Sequence, residues 1–230
     1  MISSKDHAAL RRCLLFSSLP ESDIHRLASA SSCIQYRKRQ QIFGMGEDAD
    51  GLRIILSGAV RVWISDTEGH ELTVNLLEQG DSFGEIALFD GQPRTATATV
   101  QELTRCLFVP RAAVDALLEN NSAFAREVIH LLCETLRRNT DEMGSITFDS
   151  LERRLAQKPR SLAISHAVID GNSARFASKF SQSELAKMLG VTREAINKRM
   201  TEFAKEKLVN VEDGYLTLHD LERLVSRKRR

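Results

Sequence analysis

A Gly-Glu pair, Gly84 and Glu85, is followed about ten residues later by Arg94, Thr95 and Ala96, with an apolar run and a Gly-Gln-Pro turn between them. Such a stretch can be two strands and a loop that happen to carry polar side chains. It can equally be a pocket for an anion, because a buried phosphate charge calls for one guanidinium and convergent backbone N–H groups. Glycine suits the point where backbone meets a ligand. A second group, Arg193, Glu194, Asn197 and Lys198, lies near the C-terminus. An Arg there can pair bidentately with guanine N7 and O6, and a Glu can accept from cytosine N4.

The elements that position the second group can be read directly. Ser181 and Glu184 form a capping box that opens a helix with Leu185 and Leu189 on its apolar face. Gly190 allows a tight turn, and Thr192 caps a second helix that buries Ile196 and Met200. This spacing predicts a helix-turn-helix whose second helix presents its N-terminal end to base edges. Lys198 and Arg199 reach phosphates, while Ser181 and Gln182 anchor the first helix to the backbone. The following "LVNVEDGYLTLHD" predicts a strand, an Asp-Gly turn and a strand, forming a β-wing. The plain alternative is a helical hairpin with a solvated basic face.

At 230 residues the chain accommodates two small domains. Its apolar fraction of 42% and charged fraction of 27% are those of a folded soluble protein. No apolar run approaches the roughly 18 residues of a membrane span, and "MISSKDHAALRR" lacks a signal-peptide core, so a cytoplasmic protein is expected. Cys13, Cys33, Cys106 and Cys133 are isolated, which points to free thiols rather than a zinc or iron–sulfur site. The six histidines are scattered, which speaks against a metal or haem, and no nucleophile motif marks an enzyme. The net charge of +1 hides an asymmetry. Residues 145–230 hold 17 Lys/Arg and 11 Asp/Glu, whereas residues 1–144 hold 15 and 20. A basic C-terminal part suits a polyanion partner, although the terminal "RKRR" alone reads as a solvated tail.

Residues 9–31 read as short helices. From Cys33 to Pro110, short Val-, Ile- and Leu-rich runs between Gly, Asp and Pro turns predict a small antiparallel barrel or sandwich. A short helix and a long one follow. Val128, Leu132, Leu136, Asn139 and Met143 make a stripe close to a coiled-coil seam, predicting a homodimer, with packing against its own domain as the alternative. The long helix is expected to end or bend at Gly144–Ser150, with Asp149 or Ser150 capping the next. The expected architecture is α+β, with a barrel domain at 1–120, a dimerisation helix and hinge at 121–148, and a winged helix-turn-helix domain at 149–230.

These features together resemble the cyclic AMP receptor protein/fumarate-nitrate regulator (CRP/FNR) transcription factors along nearly the whole chain. The resemblance rests on "QQIFGMGEDADGLRIILSGAVRV", "FGEIALFDGQPRTATATV", the long helix and "VTREAINKRM". It implies a double-stranded β-helix (jelly-roll) barrel that binds a cyclic nucleotide. Gly84 would offer backbone to the ligand, Glu85 would accept from the ribose 2′-hydroxyl, and Arg94 would pair with the cyclic phosphate. Thr95 and Ala96 would add hydroxyl and N–H donors, with Ile86 and Ala87 beside them. The family's base contacts fall on the long helix at Asn139 and Thr140. Cyclic AMP is the first ligand implied and cyclic GMP the second, since "RTATV" is similar to cassettes of cyclic-GMP-dependent kinases and an Asn amide can serve adenine or guanine.

Asn139 departs from the Thr of the cyclic AMP receptor, and it can instead be a seam Asn that fixes dimer register. Lys198 stands where the family pattern has Arg, which weakens discrimination at one guanine by about 1 kcal/mol. The resemblance further implies double-stranded DNA with a TGTGA-like palindrome, RNA polymerase as a partner, no membrane, and a nucleotide-driven shift of the hinge. The segment "ISHAVIDGNSARFAS" reads as a loop where the family's activating surface lies. The alternatives are an empty cassette with Glu85 paired to Arg94, a constitutive DNA binder, and a nucleotide-sensing module that acts through protein contacts.

Overall fold

The alternating apolar runs between residues 33 and 110 pair into two four-stranded antiparallel sheets. The structure, a computed structural model, describes residues 4–154, 167–179, 181–213 and 215–226. By internal contacts the chain divides into two units, residues 1–64 with 74–136, and residues 65–73 with 137–230.

The first unit opens with α1 (Ser4–Arg12) and α2 (Glu21–Ala30). Pro20 stands at the N-cap of α2, and Glu21 and Asp23 place negative charge at the positive end of the helix dipole. One sheet runs β1 (Ser32–Tyr36), β8 (Thr104–Pro110), β3 (Gly51–Ser57), β6 (Ser82–Phe83). The other runs β2 (Gln41–Phe43), β7 (Thr97–Val100), β4 (Val60–Ser65), β5 (Glu71–Leu77).

Strand β3 is buried on both faces. Leu52 and Ile54 join a core with Leu10, Phe16, Ile24, Val114 and Phe124, whereas Ile55 joins a second core with Phe43, Val60, Phe83 and Val100. By the strand's two-residue period Arg53 shares the face of Ile55, so a charged side chain enters the barrel interior. Each large side chain buried in these cores contributes about 1.5–3 kcal/mol.

Helices α3 (Ile86–Phe89), α4 (Arg111–Asn120) and α5 (Ser122–Phe148) follow in chain order. At the start of α5, Phe124 and Val128 are buried, and Phe124 stacks on Phe16 at 5.8 Å. Further along, Leu132 (37% exposed), Leu136 and Met143 (69%) face outward. The helix passes through Gly144 and ends at Phe148, late in the interval expected for its end or bend. Ser150 then caps residues 151–154, its Oγ accepting from the Arg153 N–H at 3.2 Å.

In the second unit, β9 (Ala167–Asp170) and β10 (Ser173–Lys179) form a hairpin across Gly171, at φ 57°. The sequence reading of a loop over this segment is therefore corrected. Strand β10 finds its second partner far along the chain, in β12 (Tyr215–Leu218), which a local pattern does not reveal. The wing strands β11 (Val209–Glu212) and β12 thus belong to one sheet, ordered β11-β12-β10-β9. Residues 164–166, the wing glycine at 214 and the basic tail at 227–230 lie outside the described residues.

Candidate functional site

Gly84 has φ 86°, a left-handed value, and a Cβ there would lie 2.7 Å from Arg94 Nη1. Only glycine fits this turn without displacing the guanidinium. The next residue, Glu85, starts α3, its carbonyl accepting from Leu88 N–H and Phe89 N–H at 3.0 and 2.9 Å. Ile86 is exposed and Ala87 buried.

Arg94 is fixed from both sides of its backbone, because its N–H donates to Glu47 O and its carbonyl accepts from Gly46 N–H, both at 2.8 Å. Thr97 Oγ1 accepts from Met45 N–H at 3.0 Å and ties the same loop to β7. Thr95 is exposed and Ala96 half-buried, at the rim of this turn.

The Arg94 guanidinium is buried, its side chain 1% exposed. It donates to Gly84 O, to Gly51 O at 2.7 Å and to Asp50 Oδ1 at 2.8 Å, and it lies 4.2 Å from the Phe43 ring centroid. Among the described residues, its Nε has no hydrogen-bond partner. Arg53 approaches the same carboxylate bidentately, at 2.7 Å to each Asp50 oxygen, and stacks over Phe108 at 4.8 Å.

These contacts set three linked pKa shifts. Burial and the neighbouring Arg53 charge push Arg94 below the usual arginine range, with Asp50 and Glu85 acting the other way. Burial also opposes the charge on Arg53, but its bonds to Asp50 and Tyr36 outweigh that and hold it high. Burial alone would raise Asp50, yet the Arg53 guanidinium and the Arg94 charge hold its carboxyl below the ordinary range. Two cations thus meet one carboxylate that is itself more than half exposed. An anion arriving at Arg94 would offset, through its opposite charge, the cost of burying the guanidinium and its repulsion by Arg53.

Sequence reasoning picked out Gly84, Glu85, Arg94, Thr95 and Ala96, and the structure gathers them around one turn. It did not pick out Asp50, Arg53 or Phe43. The available signal was a lone charged residue inside the apolar strand "GLRIIL", three positions after an acid. Asn139 and Thr140 stand exposed on α5, in the portion assigned to the second unit.

In that unit, α6 (Gln182–Leu189) carries the full capping box, with Glu184 N–H donating to Ser181 Oγ at 3.2 Å and Ser181 N–H to Glu184 Oε2 at 2.7 Å. Gly190 closes the helix at φ 60°. Helix α7 (Arg193–Lys205) starts on Thr192, whose Oγ1 accepts from Ala195 N–H at 3.2 Å. Leu185, Leu189, Ile196 and Met200 are buried together, as their periodicity requires. Arg193, Glu194, Asn197 and Lys198 are exposed, and Gln182 Nε2 donates to Asn197 Oδ1 at 3.2 Å, linking the two helices. Arg199 is engaged elsewhere, with Glu202 at 2.7 Å and with buried Glu152 at 3.3 Å.

A barrel with this turn and a winged helix-turn-helix together define a ligand-binding domain joined to a DNA-binding one. Residues 33–121 match the cyclic nucleotide-binding domain model, and residues 128–227 match the Crp-like helix-turn-helix domain model. The chain belongs to the CRP/FNR family of transcription regulators. It is 27% identical over 220 residues, 96% of its length and 98% of the relative's, to a CRP-like cAMP-activated global transcriptional regulator of Mycobacterium tuberculosis. Its fold is similar to that of the c-di-GMP responsive global regulator CLP of Xanthomonas campestris, with TM-score 0.73, 19% identity, and 87% and 99% of the two chains covered. A CRP/FNR-family regulator from Thermus thermophilus has TM-score 0.68 and 24% identity, with 86% and 100% covered. Among the described residues, no helix is long and apolar enough to cross a membrane.

Proposed function

We propose that this regulator is a homodimer that binds a cyclic nucleotide at Arg94 and then binds a palindromic, TGTGA-like DNA site through α7. The observation that carries the reading is the state of Arg94: buried, with its Nε lacking an acceptor among the described residues, and its pKa lowered by burial and by the Arg53 charge. A cyclic phosphate supplies negative charge and further acceptors. It takes the place of Asp50 on Arg94, and Asp50 keeps its bidentate bond to Arg53. Glu85 then meets the ribose hydroxyl, and Thr95 and Ala96 donate at the turn's rim, with Ile86 and Ala87 flanking. Asn139 and Thr140 supply base contacts from α5. Cyclic AMP is the first ligand, supported by the name of the M. tuberculosis relative, and cyclic GMP the second.

On the DNA side, Arg193, Glu194, Asn197 and Lys198 face the bases, while Ser181, Gln182 and Thr192 hold the backbone. Two copies of α7 about 34 Å apart match successive major grooves. The protein acts in the cytoplasm on RNA polymerase and carries out no catalysis. The division of labour is a barrel at 1–120, a dimerisation helix and hinge at 121–148, and a DNA-binding domain at 149–230.

The Asp50–Arg94 pair also supports a second reading, in which Asp50 permanently fills the anion site and DNA binding is constitutive. Titration calorimetry with cyclic AMP and cyclic GMP, with Arg94→Ala as the control, separates the two. The first reading requires saturable heat that Arg94→Ala removes, and operator affinity that rises with nucleotide. Equal operator affinity with and without saturating nucleotide overturns it.

A further inference from the structure

The histidines are scattered in sequence, yet two of them meet in the first unit. His7 on α1 and His25 on α2 have ring centroids 4.7 Å apart. Glu21 precedes His25 by one helical turn, so the i, i+4 spacing sets both on one face of α2, toward α1. Glu21 Oε1 lies 3.2 Å from His7 Nε2 and 3.7 Å from His25 Nε2. Its other oxygen is held by Arg11, which fixes the direction of the carboxylate. His7 Nε2 is buried and, despite its distance from Glu21, has no hydrogen-bond partner among the described residues.

Two ring nitrogens from two helices thus converge on one carboxylate oxygen. We propose that His7, Glu21 and His25 bind a divalent transition-metal ion of the zinc class, linking α1 to α2. Two imidazoles and a carboxylate are a donor set such ions take, with water completing the four positions. The three donor atoms lie within 4.8 Å of one another, whereas two ligands of one zinc ion sit about 3.4 Å apart. His25, with its side chain 68% exposed, has room for the shift of about 1.4 Å that closes the site. Arg11 opposes the dication and limits the affinity, so the site is weaker than an all-protein zinc centre.

The test uses the full chain, freed of metal with a chelator and dialysed. Zn²⁺ is titrated by calorimetry, Co²⁺ by its visible absorption, and thermal unfolding is followed with and without Zn²⁺. The expected result is one ion per chain, a d–d band without sulfur-to-cobalt charge transfer, and an unfolding temperature raised by Zn²⁺. His25→Asn, on an exposed side chain, keeps the fold, weakens binding at least about fivefold and removes the thermal shift. Binding that fails to saturate, a smaller effect of His25→Asn, or a thiolate band from Cys33 or Cys133 overturns the proposal. Nucleotide binding by the same samples is read separately and does not bear on the outcome.

Discussion

Arg53 and Arg94 converge on a single oxygen, with Arg53 Nη1 at 2.7 Å and Arg94 Nη2 at 2.8 Å from Asp50 Oδ1. One strand and one loop thereby place two guanidiniums against a carboxylate that neutralises only one. Arg53 holds Asp50 through both oxygens and Arg94 through one. The weaker partnership is therefore the one an external anion can replace, and Arg53 determines where Asp50 stays when that happens.

Asp50→Asn tests this arrangement. Removing the internal anion leaves two buried cations facing each other, so the ligand-free protein loses stability. A cyclic phosphate no longer competes with Asp50, so its affinity rises by about tenfold, or 1.4 kcal/mol. Calorimetry reads the affinity, and thermal unfolding reads a ligand-induced stabilisation larger than in the wild type. Unchanged or weaker binding would show that Asp50 does not compete for Arg94.

The same carboxylate sets a pH dependence. Its folded-state pKa is depressed below its unfolded value. Its contribution is therefore fully present above the ordinary carboxylate range, near pH 4, and is lost as pH falls through the depressed folded value. The difference in urea midpoint between wild type and Asp50→Asn should stay constant from pH 7 to about pH 5 and shrink below about pH 4. A difference that persists to lower pH would assign the effect of Asp50→Asn to packing.

What the sequence disclosed follows how local each cause is. The capping box of Ser181 and Glu184, the turn at Gly190 and the cap at Thr192 each act within four residues, and all three stand where the pattern placed them. Gly84 and Arg94 were legible as a candidate pair from their residue types together with the family resemblance, and in the structure Arg94 donates to the Gly84 carbonyl. Arg53 was hidden, since one charged residue in an alternating strand ordinarily points to solvent. Strand β10 was hidden because its partner β12 lies across the helix-turn-helix. Arg199 looked like a phosphate contact for a similar reason: its partner Glu152 lies 47 residues earlier in the chain, before the helix-turn-helix.

That last pair separates DNA contact from structure. Arg193→Ala and Lys198→Ala remove exposed side chains, so sequence-specific retardation should fall by about 1–3 kcal/mol each with the unfolding temperature unchanged. Lys198→Arg should restore a planar fork and sharpen discrimination at one guanine by about 1 kcal/mol. Arg199→Ala instead deprives buried Glu152 of a cation and should cost about 1 kcal/mol of stability. If Arg199→Ala weakens DNA binding with no loss of stability, its role is at the phosphates.

The exposed stripe of α5 carries the remaining prediction. Leu132 and Met143 face outward on a 27-residue helix whose first turns are buried at Phe124 and Val128. Apolar side chains repeating at this spacing gain most by burial against a second copy, at about 1.5–3 kcal/mol for each fully buried residue. Lysine at both positions removes that gain and adds like charge across a two-fold axis. Leu132→Lys with Met143→Lys should therefore sediment as a monomer at micromolar concentration, with the same far-ultraviolet circular dichroism. A monomer reaches only one half-site, so affinity for the palindrome should fall by about two orders of magnitude, while a single half-site is bound as before. A variant that stays dimeric would place the interface on another face, and Asn139 would then have no seam in which to fix a register.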